Sequence, residues 1–212
     1  MDVGQVRDAF LGWNNLGHRL KSFRDDRVDY VLRGGTPFSV VPGPEGAAAF
    51  LAHIVSLDCF GSTSSPLPIE AFGMNQSLDG VRPLRTEGHS SYYNLDGYFS
   101  HNGDFRGNSP ITSYVQVLRK GAIEFLESDS IGGASGTIPL NGMEFNALCS
   151  VSRAGKVFKA LEIPPPFAVF VSLLNVEGRM RTTRFDEGCA RKHLGTPNIM
   201  LQEVVLSDQR QS

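Results

Sequence analysis

Cysteine is scarce: Cys59, Cys149 and Cys189 are all that 212 residues contain. They are odd in number, far apart and form no C-x-x-C pair, which excludes a disulfide framework or a zinc ribbon and fits a reducing compartment. No basic leader precedes an apolar run, and no segment approaches the roughly 18 consecutive apolar residues of a membrane span. The expected location is cytoplasmic, with no membrane contact. Charge of one sign is lacking too. Twenty Lys and Arg against 22 Asp and Glu leave a net charge of −2, so the chain as a whole is no polycation for non-specific nucleic-acid binding. Fixed-period repeats and low-complexity tracts are absent, which excludes solenoids and wholesale disorder.

What is present is an ordinary globular composition, 41% hydrophobic and 20% charged, in a chain long enough to bury a sound core. Its charge is uneven. Residues 34–105 carry two basic and seven acidic side chains, whereas residues 179–212 carry six and four. The basic end is Arg179, Arg181, Arg184, Arg191 and Lys192. Arginines alternating along a strand line one face, as a phosphate track requires, and these five are the candidate nucleic-acid-binding residues. A charged edge strand that merely resists aggregation has the same pattern.

Apolar periodicity predicts a first helix over 3–12. A second spans 15–33, with Leu16, Leu20, Phe23, Arg27 and Tyr30 or Val31 on one stripe and Gly34-Gly35 ending it. Residues 47–60 read as a buried strand, with or without a helical start, 61–91 as a connection with at most one helical turn near 69–74, and 92–101 as a strand. Residues 111–118 and 122–127, joined by Arg119-Lys120-Gly121, form a hairpin. Within it Arg119 and Glu124 are expected to pair across the turn. A helix over 141–162 is capped by Asn141, turns Phe145, Leu148, Val151, Phe158 and Leu161 to the core, and stops at three prolines. The apolar run 167–176 is a central strand. Residues 179–183 are its antiparallel return, and 199–206 supply a last strand or an extended tail. The expected fold class is α+β, a mostly antiparallel or mixed β-sheet with two main helices packed on it. Residues 1–35 form an N-terminal helical segment and 36–212 the sheet domain, one structural unit.

Chemical motifs are thin. Gly132, Gly133 and Gly136 lack the G-K-[S/T] ending of a phosphate loop. Gly88-His89-Ser90-Ser91-Tyr92 departs from a nucleophile elbow at its last position and precedes a strand. Cys189 lies near Arg191 and His193, which depress a thiol pKa, whereas Cys149 reads as a small core residue. His89, Asp96, His101 and Asp104 are the densest set of metal-ligand types, but period two puts His101 on the opposite face from Asp96. His53, inside an apolar strand, reads as a hydrogen-bonded core imidazole. No metal and no cofactor is expected.

Several phrases occur together and in order: Ala9-Phe10, Phe23-Arg24-x-x-Arg27, Thr36-Pro37, and Ala52-His53-Ile54-Val55-x-Leu57-x-x-Phe60. Downstream stand Asn94-Leu95-Asp96-Gly97-Tyr98, Tyr114-Val115-Gln116-Val117-Leu118-Arg119-x-Gly121-x-Ile123-Glu124, and the run from Pro165 through Phe167 and Leu174 to Gly178. A final phrase lies in 199–205, with Glu203. Over roughly residues 5–206 the chain resembles the C-terminal region of bacterial Schlafen-like proteins that carry an AlbA-type DNA-binding domain, a group often labelled ATP-binding. The AlbA-type domain itself is not among these residues, so the resemblance places no catalytic residue here. It implies a non-catalytic C-terminal module with a nucleic-acid-binding or scaffold role, whose partners are nucleic acid, an AlbA-type domain or a second copy. Two other readings remain: a small hydrolase or nuclease using Asp96, His101, Glu124 or Cys189, and a protein-interaction module in a defence or regulatory complex.

Overall fold

The computed structural model describes residues 3–36, 47–60, 66–67, 69–70, 79–103, 111–129, 131, 137–182 and 193–207. A single helix, α1 (Val3–Leu32), replaces the two expected at the start. No proline interrupts it, and a helical glycine such as Gly12 or Gly17 costs only about 1 kcal/mol, too little to break a helix held by its apolar stripe. It ends where Gly34 takes φ +72° and Gly35 N–H donates to the Tyr30 carbonyl, a glycine C-cap.

Among the described residues ten strands follow: β1 (Ala49–Ser56), β2 (Ser90–Tyr93), β3 (Gly97–His101), β4 (Ser113–Leu118), β5 (Ala122–Glu127), β6 (Thr137–Pro139), β7 (Phe167–Leu174), β8 (Met180–Thr182), β9 (Ile199–Met200) and β10 (Val204–Leu206). The second long helix, α2 (Leu140–Ala160), lies between β6 and β7. One eight-stranded sheet runs β10-β7-β1-β5-β4-β3-β2, with β9 also on β7. All its pairs are antiparallel. The fold is therefore α+β, as the residue pattern predicts.

Four local expectations are corrected. The strand expected over 92–101 is two, because Asn94 and Gly97 close a tight turn by reciprocal backbone hydrogen bonds. Gly97 has φ +153°, and a Cβ there would lie 1.9 Å from the Val117 carbonyl oxygen. Residues 180–182 are no antiparallel return: β8 pairs in parallel with β6 in a separate two-stranded sheet. The places beside β7 are taken by β1 on one side and by β9 and β10 on the other, so the chain after β7 has to leave the sheet. Asn141 is not a cap, since α2 starts a residue earlier, behind Pro139, with no side-chain cap. Last, α2 buries Met143, Asn146, Ser150, Ala154, Val157 and Phe158, while Phe145 and Leu148 are 55% and 72% exposed. Polar Asn146 and Ser150 fill core positions through hydrogen bonds, so hydrophobicity misreports the buried face. The expected turn near 69–74 lies mostly outside the described residues.

The sheet is sandwiched between the helices. Its α2 side is one continuous apolar cluster, including Phe50, Ile54, Val117, Phe125, Val157 and Phe158. Its α1 side holds two separate clusters, one around Val31, Leu51, Phe99 and Leu126, the other around Leu20, Val55, Phe60 and Phe170.

Candidate functional site

Strand register explains the division on the α1 side. His53 on β1 lies opposite Glu124 on β5, which lies opposite Gln116 on β4. Directly paired residues share a face, so these three form a polar row across the sheet, bounded by Phe170 and Phe99. The carboxylate of Glu124 is fully buried, and a buried charge has to be paired and hydrogen-bonded to persist. Arg27, on the apolar stripe of α1, supplies the countercharge.

The pairing is bidentate. Arg27 Nη2 donates to Oε1 at 2.7 Å and Nε to Oε2 at 2.8 Å. Tyr114 Oη donates to Oε1 at 2.9 Å, and His53 Nε2 lies 2.9 Å from Oε2. A carboxylate only accepts, so the His53 proton sits on Nε2. Each oxygen thus takes two donors, filling the roughly four acceptor positions of a carboxylate. Burial pushes the Glu124 carboxyl up, but the Arg27 charge and hydrogen bonds, then those of His53, outweigh it and hold it far below the usual range. Burial likewise pushes the Arg27 guanidinium down and Glu124 reverses this, leaving it above its ordinary value. The Tyr114 phenol is driven well up, first by burial and then by the Glu124 charge. The two Arg27 contacts, at 2.7 and 2.8 Å, lock helix to sheet, and those from His53 and Tyr114, both at 2.9 Å, hold the carboxylate within the sheet. They leave Glu124 no lone pair with which to take a substrate proton.

Two neighbours extend the cluster. The Arg27 guanidinium carbon lies 4.7 Å from the centroid of the Tyr30 ring, and Phe23 packs edge-on to His53 with centroids 5.7 Å apart. His53 Nδ1 is buried without a hydrogen-bond partner among the described residues. His53 is therefore a core imidazole, as its apolar flanks imply, although it satisfies only one of its two nitrogens.

Of the residues singled out from sequence, the cluster takes in Glu124 and His53. Arg179 is half-buried and its Nε donates to the Asn175 carbonyl at 3.1 Å. Arg181 is exposed on β8, and Arg184, Arg191 and Lys192 lie outside the described residues, as do Cys189, Asp104 and the loop glycines 132, 133 and 136. Asp96 is exposed in the β2–β3 turn. His101 is buried against the rings of Phe99 and Tyr92, and burial pushes its pKa down. Arg119 does not pair with Glu124: it donates to Glu70 at 2.6 Å, because Glu124 faces inward towards α1. Among the described residues no group of three or more His, Cys, Asp or Glu is gathered as a metal site, and no helix is long and apolar enough to cross a membrane. The signal for the true cluster was an arginine on an apolar stripe and a glutamate inside an apolar strand, two charges that only each other could neutralise.

These features define the class, an antiparallel α+β sheet between two helices with a saturated ionic cluster under one of them. No protein-family model, no curated protein and no solved structure matches the chain.

Proposed function

We propose that this chain is a non-catalytic scaffold module, the C-terminal part of a Schlafen/AlbA-like protein, that holds nucleic acid or a partner domain. The observation that carries the reading is the saturation of Glu124. The strongest ionic cluster among the described residues is turned wholly inward and spent on joining α1 to the sheet, where a general base needs a free lone pair facing a substrate. A binding role needs instead a rigid body with exposed surfaces, and the outward Arg181 contributes to one.

Fluorescence anisotropy with labelled single-stranded and duplex oligonucleotides over a salt series, with gel analysis of the same samples, tests both halves. Binding that weakens as salt rises, without cleavage, is expected. Undetectable binding at low ionic strength removes the nucleic-acid half; cleavage that disappears in Glu124→Gln removes the non-catalytic half.

A second reading, a protein-interaction module, draws on exposed apolar groups: Phe145 and Leu148 on α2, and Met200, Leu201, Val204 and Val205 at the β10 edge. Contiguous exposed apolar surface marks association sites.

A further inference from the structure

A half-open apolar hollow of about 390 Å³ lies between the first half of α2, the β6–β8 pair and the strands β7 and β9. From this hollow and the bare sheet edge beside it we infer that the chain forms a twofold dimer with a second copy of itself, joined along β10. The inference rests on the protein-interaction reading above and names the partner.

The edge itself invites a strand. β10 ends the eight-stranded sheet, and such an edge presents a row of backbone N–H and C=O groups to any strand laid against it. Chains that stay apart blunt their edges with lysine, proline or inward charge. From residue 199 to 207 the single charge is Glu203, and it is tied to Lys21 of α1 at 2.9 Å. Val204 shares a face with Val169 on the α2 side, and Val205 shares one with Ala168 on the α1 side. Both are about half exposed, as are Met200 and Leu201. A partner strand has to be apolar on both of its faces, and this strand is.

The hollow above the edge supplies the rest of the contact. Met143 and Ala147 of α2, Val171 and Leu173 of β7, and Leu201 give it an apolar lining. Leu148, one helical turn beyond rim residue Glu144, stands 72% exposed and is an apolar knob on the same bank. Knob and hollow on one surface complement each other once a twofold axis brings two copies together.

Charge selects a second copy over other occupants. Glu144 on α2 and Arg181 on β8 both line the hollow and stand exposed, and neither forms an ion pair among the described residues. An acidic or a basic partner satisfies one of them and repels the other. In a twofold interface residue i meets residue j and j meets i, so Glu144 of each copy faces Arg181 of the other and both charges are answered. Antiparallel strands related by a twofold axis also exchange their hydrogen bonds symmetrically. A small apolar ligand fills the hollow but leaves the edge bare and both charges unpaired.

The test is light scattering on the full chain over a concentration series, which should report twice the chain mass. Val205→Lys places a cation on each side of the axis and is expected to raise the dissociation constant about tenfold or more. Arg181→Glu and Glu144→Arg should each do the same, because each sets like charges against one another. Mixed in equal amounts, these two single variants should recover the wild-type dimer, since every rim contact of the mixed pair is again opposite in charge. Lys120→Glu, with β7 and β1 between its turn and the edge, should change nothing, and circular dichroism checks that each variant is folded. A monomer at every concentration, a dimer indifferent to Val205→Lys, or a mixture that fails to recover overturns the inference. If the monomer binds the apolar dye anilinonaphthalene sulfonate and Val205→Lys abolishes this, the interaction reading stands with a different partner; if no dye binds, that reading falls as well.

Discussion

The two faces of the sheet solve the same packing problem differently. Under α2 the strands present Phe50, Ile54, Val117 and Phe125 to a single apolar cluster, where Phe158 stacks on Phe167 with centroids 4.5 Å apart. The polar exception there is neutral on the helix side: Asn146 donates through Nδ2 to buried Glu127, and its Oδ1 accepts from Arg85 Nε. Under α1 the apolar surface is cut in two by Arg27, Glu124, His53 and Tyr114. Apolar packing is non-directional and tolerates small slides of a helix, whereas a bidentate guanidinium pair with a carboxylate already held by His53 and Tyr114 accepts one position only. The α2 face therefore supplies stability in bulk and the α1 face fixes register. That register places Arg19, Phe23 and Asp26 beside the β4–β5 turn.

The sharpest break of this contrast is Arg27→Met. It leaves Glu124 buried without its countercharge, and urea unfolding should show a loss of about 3–5 kcal/mol. Arg27→Met combined with Glu124→Leu should recover only part of that loss, because the unpaired buried charge is gone but the Tyr114 and His53 donors lose their acceptor. If the double variant is as unstable as the sum of its parts, the ionic cluster is not a closed unit.

Acid titration separates the faces next. The folded carboxyl of Glu124 lies below its unfolded value of about 4.3, so its contribution is fully present above that value and lost as pH falls towards the folded pKa. Below about pH 4 the unfolded state binds one more proton, and wild type should lose roughly 1.4 kcal/mol per pH unit more steeply than Glu124→Gln. Phe158→Ala, on the α2 face, should lower stability by about 3–5 kcal/mol and leave that slope unaltered. Parallel acid limbs for wild type and Glu124→Gln would show that the glutamate titrates normally.

The smallest effect belongs to the exposed pair. Arg119→Gln removes a contact to Glu70 that is open to solvent on both sides, and a shift under about 1 kcal/mol is expected in the same unfolding measurement. A larger value would mean that the β4–β5 turn depends on this pair as well as on its backbone bonds.

Much of this architecture was legible in the residues. The β4–β5 hairpin follows from Arg119-Lys120-Gly121 between two β-rich runs, β7 from its unbroken apolar run, and the first helix's buried stripe from Leu16, Leu20, Phe23, Arg27 and Tyr30 or Val31. Local rules suffice wherever one element's own periodicity decides its state. They mislead where a partner decides. The buried face of α2 includes Asn146 and Ser150, which become acceptable core residues only once Glu127 and the backbone supply their hydrogen bonds. Residues 180–182 are strand-like whichever neighbour they find, and the occupied edge of β7 sends them to β6.

Sequence alone thus determined an α+β chain with a mostly antiparallel or mixed sheet, its helix stripe, hairpin and core strands, because propensity, glycine turns and hydrophobic period are local properties. Tertiary structure alone decided that Arg27, His53, Tyr114 and Glu124 meet, and that Glu144, Val171, Arg181 and Leu201 share one hollow. Charge pairing and cavity shape depend on distances between residues tens of positions apart, and strand register with helix docking sets those distances.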